Sequence, residues 1–340
     1  MHEMTDNLKN SVMAYCAKIG ADPLLIQGAG GNVSWKENGT LWVKASGTWL
    51  AEALEKDIFV PVDLILMNKA LDERDFTVLP IVSDDSKLRP SIETQLHALM
   101  PHKIVVHVHS VVALAHLVCD GWQENFQVLL DGAIPWTAVG YKKPGAELAE
   151  AVYSALERKK EAKVVFLENH GVVIGGENID DIQETISILT NSLSSTLREP
   201  TNSLVKAIYL DDNLQYTPIP DSKLHTLATN VDFYSHLQTC WALYPDHIVF
   251  LGDSPNVYES IDQFYEYSSV NTDLPELIFI RDAGVFIKDS FNRAKLAQLR
   301  CYYDVISRIN EFSKINVLTQ SQIGDLLNWD AEKYRMRIAN

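Results

Sequence analysis

The sequence lacks several features that would place it in common classes of protein. It has no apolar run near the ~20 residues that a membrane-spanning helix needs. The longest runs include residues 103–106 and 163–167. Its N-terminus has neither the basic start nor the apolar stretch of a secretory signal. We therefore expect a cytoplasmic protein that has no membrane partner.

Cysteine is scarce and scattered, with four residues at Cys16, Cys119, Cys240 and Cys301. No two of them form a C-x-x-C pair, so the sequence suggests neither a thiolate zinc site nor a disulfide framework. We expect reduced thiols with mostly structural roles.

The sequence has few positively charged residues. It contains 29 Lys and Arg residues and 45 Asp and Glu residues, which give a formal net charge of -16. Nucleic acids and anionic membranes bind through clustered Lys and Arg, so we expect neither as a partner. An anionic small molecule would need a local positive centre, which a metal ion or a helix N-terminus supplies.

Length and patterning indicate a large α/β protein. A chain of 340 residues with 46% hydrophobic residues can bury one large domain and a smaller one. Helical patterns at 6–19, 91–100 and 179–197, and one after Gly145 with Leu148, Val152 and Leu156, alternate with strand patterns near 41–44, 103–109 and 163–167. This alternation is typical of α/β folds.

The pattern breaks around Pro200, which predicts a catalytic domain over 1–200 and an accessory α/β domain over 201–340. Within the second part, residues 246–252 and 276–287 are predicted strands, and the latter form a hairpin that turns at Asp282-Ala-Gly284. A long helix over 294–309 and a final helix carrying Trp329 complete the prediction.

The sharpest chemical signal is His107-Val-His109 within an apolar run. Residues i and i+2 of a strand point to the same face, so the two imidazoles form a metal half-site. An isolated H-x-H pair is as often a structural feature. His170, which follows a predicted strand in Glu168-Asn-His-Gly171, is a candidate third ligand. Three histidines are typical of catalytic zinc, although cobalt, manganese and iron also accept imidazole.

Glu93 lies at the start of the helix before the histidine strand, where it can act as a labile ligand or a general acid/base. Acidic residues favour helix N-termini in any case. His97 follows four residues later on the same helical face, so Glu93 and His97 form a rival half-site. Spacing alone does not decide between the two arrangements.

Gly28-Ala-Gly-Gly-Asn-Val-Ser34 is not a dinucleotide fingerprint, because Val33 replaces the third glycine and a strand follows. The backbone around Gly30–Asn32, the Ser46-Gly47 turn and the helix start at Ser91 are instead candidate donors to a phosphate.

Taken in order, a set of short motifs resembles the class II aldolase/adducin family over roughly residues 5–200. The motifs are Gly31-Asn32-Val-Ser34, Lys44-Ala-Ser-Gly47, Arg89-Pro-Ser-Ile-Glu93, His107-Val-His109, Tyr141-Lys-Lys-Pro-Gly145 and Glu168-Asn-His-Gly171. The resemblance implies a three-layer αβα arrangement, a mixed sheet flanked by helices. It also implies a homo-oligomer, a fourfold ring being favoured, with active sites between subunits.

The same resemblance implies roles for individual residues. Zn²⁺ is expected on His107, His109 and His170, with Glu93 as the acid/base. The expected phosphate pocket consists of Asn32, Ser46, Gly47 and Ser91. Tyr141 matches a tyrosine frequent in the family and is a candidate substrate contact. Ile92 stands where the family often has a second serine, and the tyrosine of simple fuculose-phosphate aldolases has no counterpart between Cys119 and Leu130.

The later part of the chain, with Asp246-His-Ile-Val-Phe-Leu-Gly252 and Trp329-Asp-Ala-Glu-Lys333, is similar to the segment after the aldolase half of bifunctional rhamnulose-1-phosphate aldolase/alcohol dehydrogenase chains. No dehydrogenase domain is expected here. The implied reaction is cleavage of a phosphorylated sugar, a ketose 1-phosphate, to dihydroxyacetone phosphate and an aldehyde. The alternatives are a pentulose-phosphate epimerase or sugar-acid phosphate decarboxylase of the same fold, and an adducin-like scaffold.

Overall fold

The computed structural model describes residues 2–83, 86–198 and 215–339. Its main sheet has seven strands in the order β3-β2-β1-β4-β7-β6-β5, all antiparallel to their neighbours except β5 and β6. The strands are β1 Asn32–Glu37, β2 Thr40–Lys44, β3 Phe59–Asp63, β4 Ile104–Val108, β5 Trp136–Val139, β6 Val164–Leu167 and β7 Gly171–Gly176.

Helices cover both faces of this sheet. They are α1 His2–Gly20, α2 Leu64–Asp72, α3 Thr94–Leu99, α4 Val111–Leu117, α5 Trp122–Leu129, α6 Ala146–Arg158 and α7 Ile179–Leu193. Successive strand residues point to opposite faces, so Val106 joins a core with α1, α4, α5 and α7, while Val105 joins a core with α2, α3 and α6. The predicted three-layer αβα arrangement is confirmed.

A smaller α/β region follows, as predicted. Its sheet has the order β8-β11-β10-β9, with β8 Tyr216–Pro218, β9 Val257–Tyr258, β10 Leu277–Ile280 and β11 Gly284–Lys288. Its helices are α8 Thr226–Thr229, α9 Val231–His236, α10 Pro245–Leu251, α11 Ile261–Val270, α12 Arg293–Ile306, α13 Gln320–Leu327 and α14 Asp330–Ala339. The hairpin predicted to turn at Asp282-Ala-Gly284 is confirmed. The predicted domain boundary at Pro200 lies outside the described residues.

Three local predictions were wrong. Residues 246–252 are not a strand, because α10 spans Pro245–Leu251. Trp329 lies between α13 and α14 rather than within a final helix. The helix expected from Ser91 begins only at Thr94, and Glu93 occupies its N-cap position.

The main sheet with its helices and the smaller α/β region pack against each other. Val111 and Leu114 of α4 belong to the same buried cluster as Leu299 and Tyr302 of α12. The Asn169 side chain donates at 2.7 Å to backbone carbonyls on both Leu243 and Asn316. These contacts hold the later helices against the end of the main sheet where the histidines lie. No helix in the described part of the chain is both long and apolar enough to cross a membrane.

Candidate metal centre

Three histidines converge at one end of the central strand β4. His107 belongs to β4, which pairs with β1 on one side and with β7 on the other, and His109 lies just past the strand. His170 lies in the turn between β6 and β7, where Asn169 adopts a positive φ of 50°. The candidate ligand atoms of the three side chains all lie within 4.8 Å of one another, and all three side chains are buried.

Gly171 makes the close approach of these rings sterically feasible. A Cβ atom at this position would lie 2.6 Å from the Val108 carbonyl oxygen, 3.1 Å from the His109 ring and 3.2 Å from the His107 ring. Any larger residue would therefore push the turn that carries His170 away from β4.

The donor set fits a divalent metal such as zinc. His107 Nε2 lies 3.1 Å from His109 Nε2. Zinc–nitrogen bonds of about 2.0–2.1 Å place two tetrahedral ligand nitrogens about 3.3 Å apart, close to that separation. His107 Nδ1 lies 3.1 Å from the Val172 carbonyl oxygen, which can only accept, so Nδ1 carries the proton and Nε2 keeps its lone pair.

Burial keeps the His107 imidazole neutral, the form that ligates a metal. It lowers the pKa of His107 to about 3, although the nearby Glu93 carboxylate opposes this effect. A neutral ring surrounded by two further imidazoles is the protonation state that a metal site requires.

Glu93 faces the histidines from the start of α3. Its Oε1 atom lies 3.1 Å from His170 Nε2, and its Oε2 atom lies 3.5 Å from His107 Nε2. Asn32, the partner of His107 across the β1–β4 ladder, donates to Oε2 at 3.0 Å. Burial by itself would raise the pKa of Glu93, but the adjacent His170 and the Asn32 hydrogen bond hold it well below its usual range. The carboxyl group is therefore ionised at neutral pH.

The rival Glu93/His97 half-site is not assembled in the structure. His97 Nδ1 lies 2.7 Å from Ser34 Oγ, and His97 Nε2 contacts Asn32 Oδ1, so the Asn32 side chain lies between His97 and Glu93. Burial lowers the pKa of His97 to about 3. His97 thus serves as a neutral, hydrogen-bonded buttress for Asn32.

The predicted phosphate residues all line one cavity beside Glu93: Asn32, Ser46, Gly47 and Ser91. Ser46 Oγ is buried and has no hydrogen-bond partner among the residues that the structure describes. Ser91 Oγ accepts from the Glu93 amide at 3.2 Å and so also orients the turn before α3.

Tyr141 is not among the described residues that line this cavity. It packs instead against a cluster that includes Leu318 and Leu326, and its buried hydroxyl has no partner among the described residues. Its predicted contact with substrate stays a prediction.

The same cavity contains four charged side chains that sequence analysis did not assign to the site: Lys44, Asp246, Glu332 and Arg335. Lys44 Nζ donates to the carbonyls of Ala29 at 2.9 Å and Thr48 at 2.7 Å, bracing the two glycine-containing loops. Burial, reinforced by Arg335, lowers the pKa of Lys44 to about 7. Burial raises the pKa of Glu332.

For Asp246, the sequence contained a signal that it begins a helix. Pro245 is suited to the first turn of a helix, and an acidic Asp246 beside it fits the positive end of the helix dipole. Those two features favour the observed α10 over the predicted strand. No local feature of Glu332 or Arg335 indicated that α14 returns to the first domain.

The chain resembles two curated proteins. It is 30% identical to "Uncharacterized oxidoreductase YuxG" of Bacillus subtilis over 231 residues, which is 63% of this chain and 32% of YuxG. It is 27% identical to L-fuculose phosphate aldolase of Methanocaldococcus jannaschii over 207 residues, 58% of this chain and 98% of that enzyme. The chain thus spans about a third of the length of YuxG and nearly all of the archaeal aldolase.

Among solved structures, the N-terminal class II aldolase domain of a conserved protein from Thermoplasma acidophilum is 26% identical, with a TM-score of 0.45, over 54% of this chain and 90% of that one. Residues 10–197, more than half of the chain, match the family described as Class II Aldolase and Adducin N-terminal domain. This confirms the resemblance that the ordered motifs indicated. The chain belongs to the class II aldolase and adducin family.

Proposed function

We propose that this protein is a metal-dependent lyase that cleaves a ketose 1-phosphate into dihydroxyacetone phosphate and an aldehyde. The observation that carries the proposal is the buried group of three histidines with the Glu93 carboxylate 3.1 Å from His170. The likeness to L-fuculose phosphate aldolase supports the substrate class. A scaffold would gain nothing from four convergent buried polar groups, and this argues for an enzyme.

His107, His109 and His170 would hold the metal, with zinc preferred because three imidazoles and an open position suit it. When bound, the metal supplies Lewis acidity that polarises the substrate ketone and stabilises an enediolate. The ligand set also accepts cobalt, manganese or iron.

Glu93 would move the proton at the reacting carbon. Its carboxylate is ionised and buried, Asn32 donates a hydrogen bond to Oε2 at 3.0 Å, and Oε1 lies 3.1 Å from His170 Nε2. A base held in one orientation next to an electrophilic centre avoids the reorganisation that slows proton transfer in water. Ser91 adds to this order through its bond to the Glu93 amide.

The phosphate would bind beside the Ser46 hydroxyl, which has no hydrogen-bond partner among the described residues, with the Gly47 loop and Ser91 on either side. Lys44 lies in the same cavity wall and contributes positive charge when protonated. Burying a hydroxyl that makes no hydrogen bond has an unfavourable free energy. A ligand that accepts a hydrogen bond from this hydroxyl would therefore bind more tightly.

Ser46→Ala is expected to reduce kcat/KM for a phosphorylated ketose roughly tenfold or more, because a hydrogen bond to a charged group is worth ~1.5–3 kcal/mol. The loss for the unphosphorylated ketose should be much smaller. Steady-state kinetics with both sugars measure the difference.

Ser307→Ala is the matched control, since among the described residues Ser307 Oγ bonds to the Tyr303 carbonyl near the end of α12 and does not line the cavity. This substitution should leave kcat/KM for both sugars unchanged. Equal losses for both sugars in Ser46→Ala would contradict the phosphate assignment and favour a substrate with another anionic group.

We further propose that the chain forms a homo-oligomer, with a tetramer favoured, acts in the cytoplasm, and divides into domains near residue 200. The first of these follows from the family resemblance. Light scattering coupled to size-exclusion chromatography measures the oligomeric state.

A further inference from the structure

A carboxylate from outside the matched residues 10–197 reaches one of the three histidines. Asp246, in the first turn of α10, is only 3% exposed, and its Oδ2 atom lies 3.3 Å from His109 Nδ1. The other ring nitrogen, His109 Nε2, faces His107 Nε2 at 3.1 Å. The imidazole of His109 therefore lies between a carboxylate and the proposed metal position.

Asp246 is itself held in a fixed orientation. Arg335 of α14 binds it through two parallel contacts, Nη1 to Oδ1 at 2.5 Å and Nη2 to Oδ2 at 2.7 Å. Such paired contacts define the plane of a carboxylate as well as its position. Gln298 of α12 adds a third contact, to Oδ2 at 3.3 Å.

The backbone of His109 is tied to the same group of residues. Gln27 Nε2 donates to the His109 carbonyl at 3.2 Å, and Gln298 Nε2 donates to the Gln27 carbonyl at 3.2 Å. The ring and the main chain of His109 are thus both linked to residues that also fix Asp246.

Gly30 packs closely against the contact between Asp246 and His109, which is a separate observation that supports this contact. A Cβ atom at Gly30 would lie 2.8 Å from Asp246 Oδ2 and 3.0 Å from His109 Nδ1. Any side chain at this position would press on the contact from the side. A glycine is needed here to give the two groups room.

We propose that Asp246, oriented by Arg335, is a positioning residue for the metal ligand His109, so that the later α/β region completes the metal centre. A negative charge 3.3 Å from Nδ1 favours the tautomer that carries its proton on that atom, which leaves the Nε2 lone pair for the metal and makes it more basic. This inference rests on the metal site of the proposed function. It adds a residue that lies outside the family's matched domain.

Asp246→Asn is the direct test, because the amide keeps the shape of the side chain and removes its charge. Competition with a chromophoric chelator for Zn²⁺ should show ~10–100-fold weaker binding, the range found when outer partners of ligating histidines are removed. The visible absorption spectrum of the Co²⁺-loaded protein should also change, since it reports the arrangement of the ligands.

Asp304→Asn is the matched control. Asp304 is also buried and paired with arginine, through Arg300 Nε at 2.9 Å, but it does not line the cavity. Its substitution should leave Zn²⁺ affinity and the Co²⁺ spectrum unchanged. Circular dichroism of each variant establishes that it folds.

Gly30→Ala keeps the inference testable if Asp246→Asn does not fold, because it disturbs the same contact from the other side. Weaker Zn²⁺ binding in either folded variant, with a normal Asp304→Asn control, supports the positioning role. Unchanged affinity and an unchanged Co²⁺ spectrum overturn it. These measurements use no sugar, so a wrong substrate leaves them intact, whereas a wild-type protein that binds no metal would defeat the proposed function as well.

Discussion

His170→Ala should lose the bound metal and the catalytic activity together. The substitution removes one of three imidazoles whose ligand atoms lie within 4.8 Å of one another, and the two remaining histidines fall short of the three protein ligands typical of a catalytic zinc. Purified protein should contain about one divalent metal ion per chain in the wild type and far less in the variant. Elemental analysis of both proteins, together with an activity assay, measures this.

His97→Ala is the informative partner of that experiment. His97 is buried within the same region but bonds to Ser34 and Asn32 rather than facing the histidine group. The variant should therefore retain its metal. Loss of the His97 contact with Asn32 is expected to leave Asn32, and with it Glu93, less well oriented. Full metal occupancy in His170→Ala, with loss in His97→Ala, would reverse the assignment and restore the rival Glu93/His97 site.

Glu93→Gln should keep the metal and lose proton transfer. The amide has nearly the same shape as the carboxylate, but it cannot accept a proton from carbon at neutral pH. General acid/base groups contribute ~100- to 10,000-fold, so a loss in that range is expected. Exchange of solvent deuterium into dihydroxyacetone phosphate, followed by NMR, measures the step without the rest of the reaction.

Metal content serves as the control for this variant, because a loss of metal would explain inactivity without any role in proton transfer. Glu93→Gln protein that holds its metal and exchanges deuterium at the wild-type rate would rule out the acid/base role. Asn32 donates to Glu93 at 3.0 Å and can donate equally to the glutamine oxygen, which helps to keep the variant side chain in place.

Much of the first domain was predictable because its signals are local. Strand alternation placed His107 and His109 on one face, and the structure shows their Nε2 atoms 3.1 Å apart. His170 was harder, since about sixty residues separate it from His109 and no period connects them. The ordered motifs of the family, rather than spacing, brought it into the predicted site.

The contribution of the later region was not predictable in the same way. Residues 248–251 form a short apolar run, and periodicity alone does not distinguish a buried strand from a buried helix at that length. The contact between Asp246 and Arg335 joins residues 89 positions apart, on α10 and α14. It depends on the packing of α14 against the Gly47 loop. This packing is close, because a Cβ atom added at Gly47 would lie 2.6 Å from Ile338 Cβ.

Removal and restoration of the metal test the central claim most directly. Protein stripped by a chelator, verified as metal-free, is assayed with a panel of ketose 1-phosphates for release of dihydroxyacetone phosphate and aldehyde, and is then reloaded with Zn²⁺. The account predicts cleavage of at least one of these sugars by the loaded protein, almost none by the stripped protein, and recovery on reloading. Undiminished cleavage by verified metal-free protein, or no cleavage of any ketose 1-phosphate by the fully loaded protein, would contradict it.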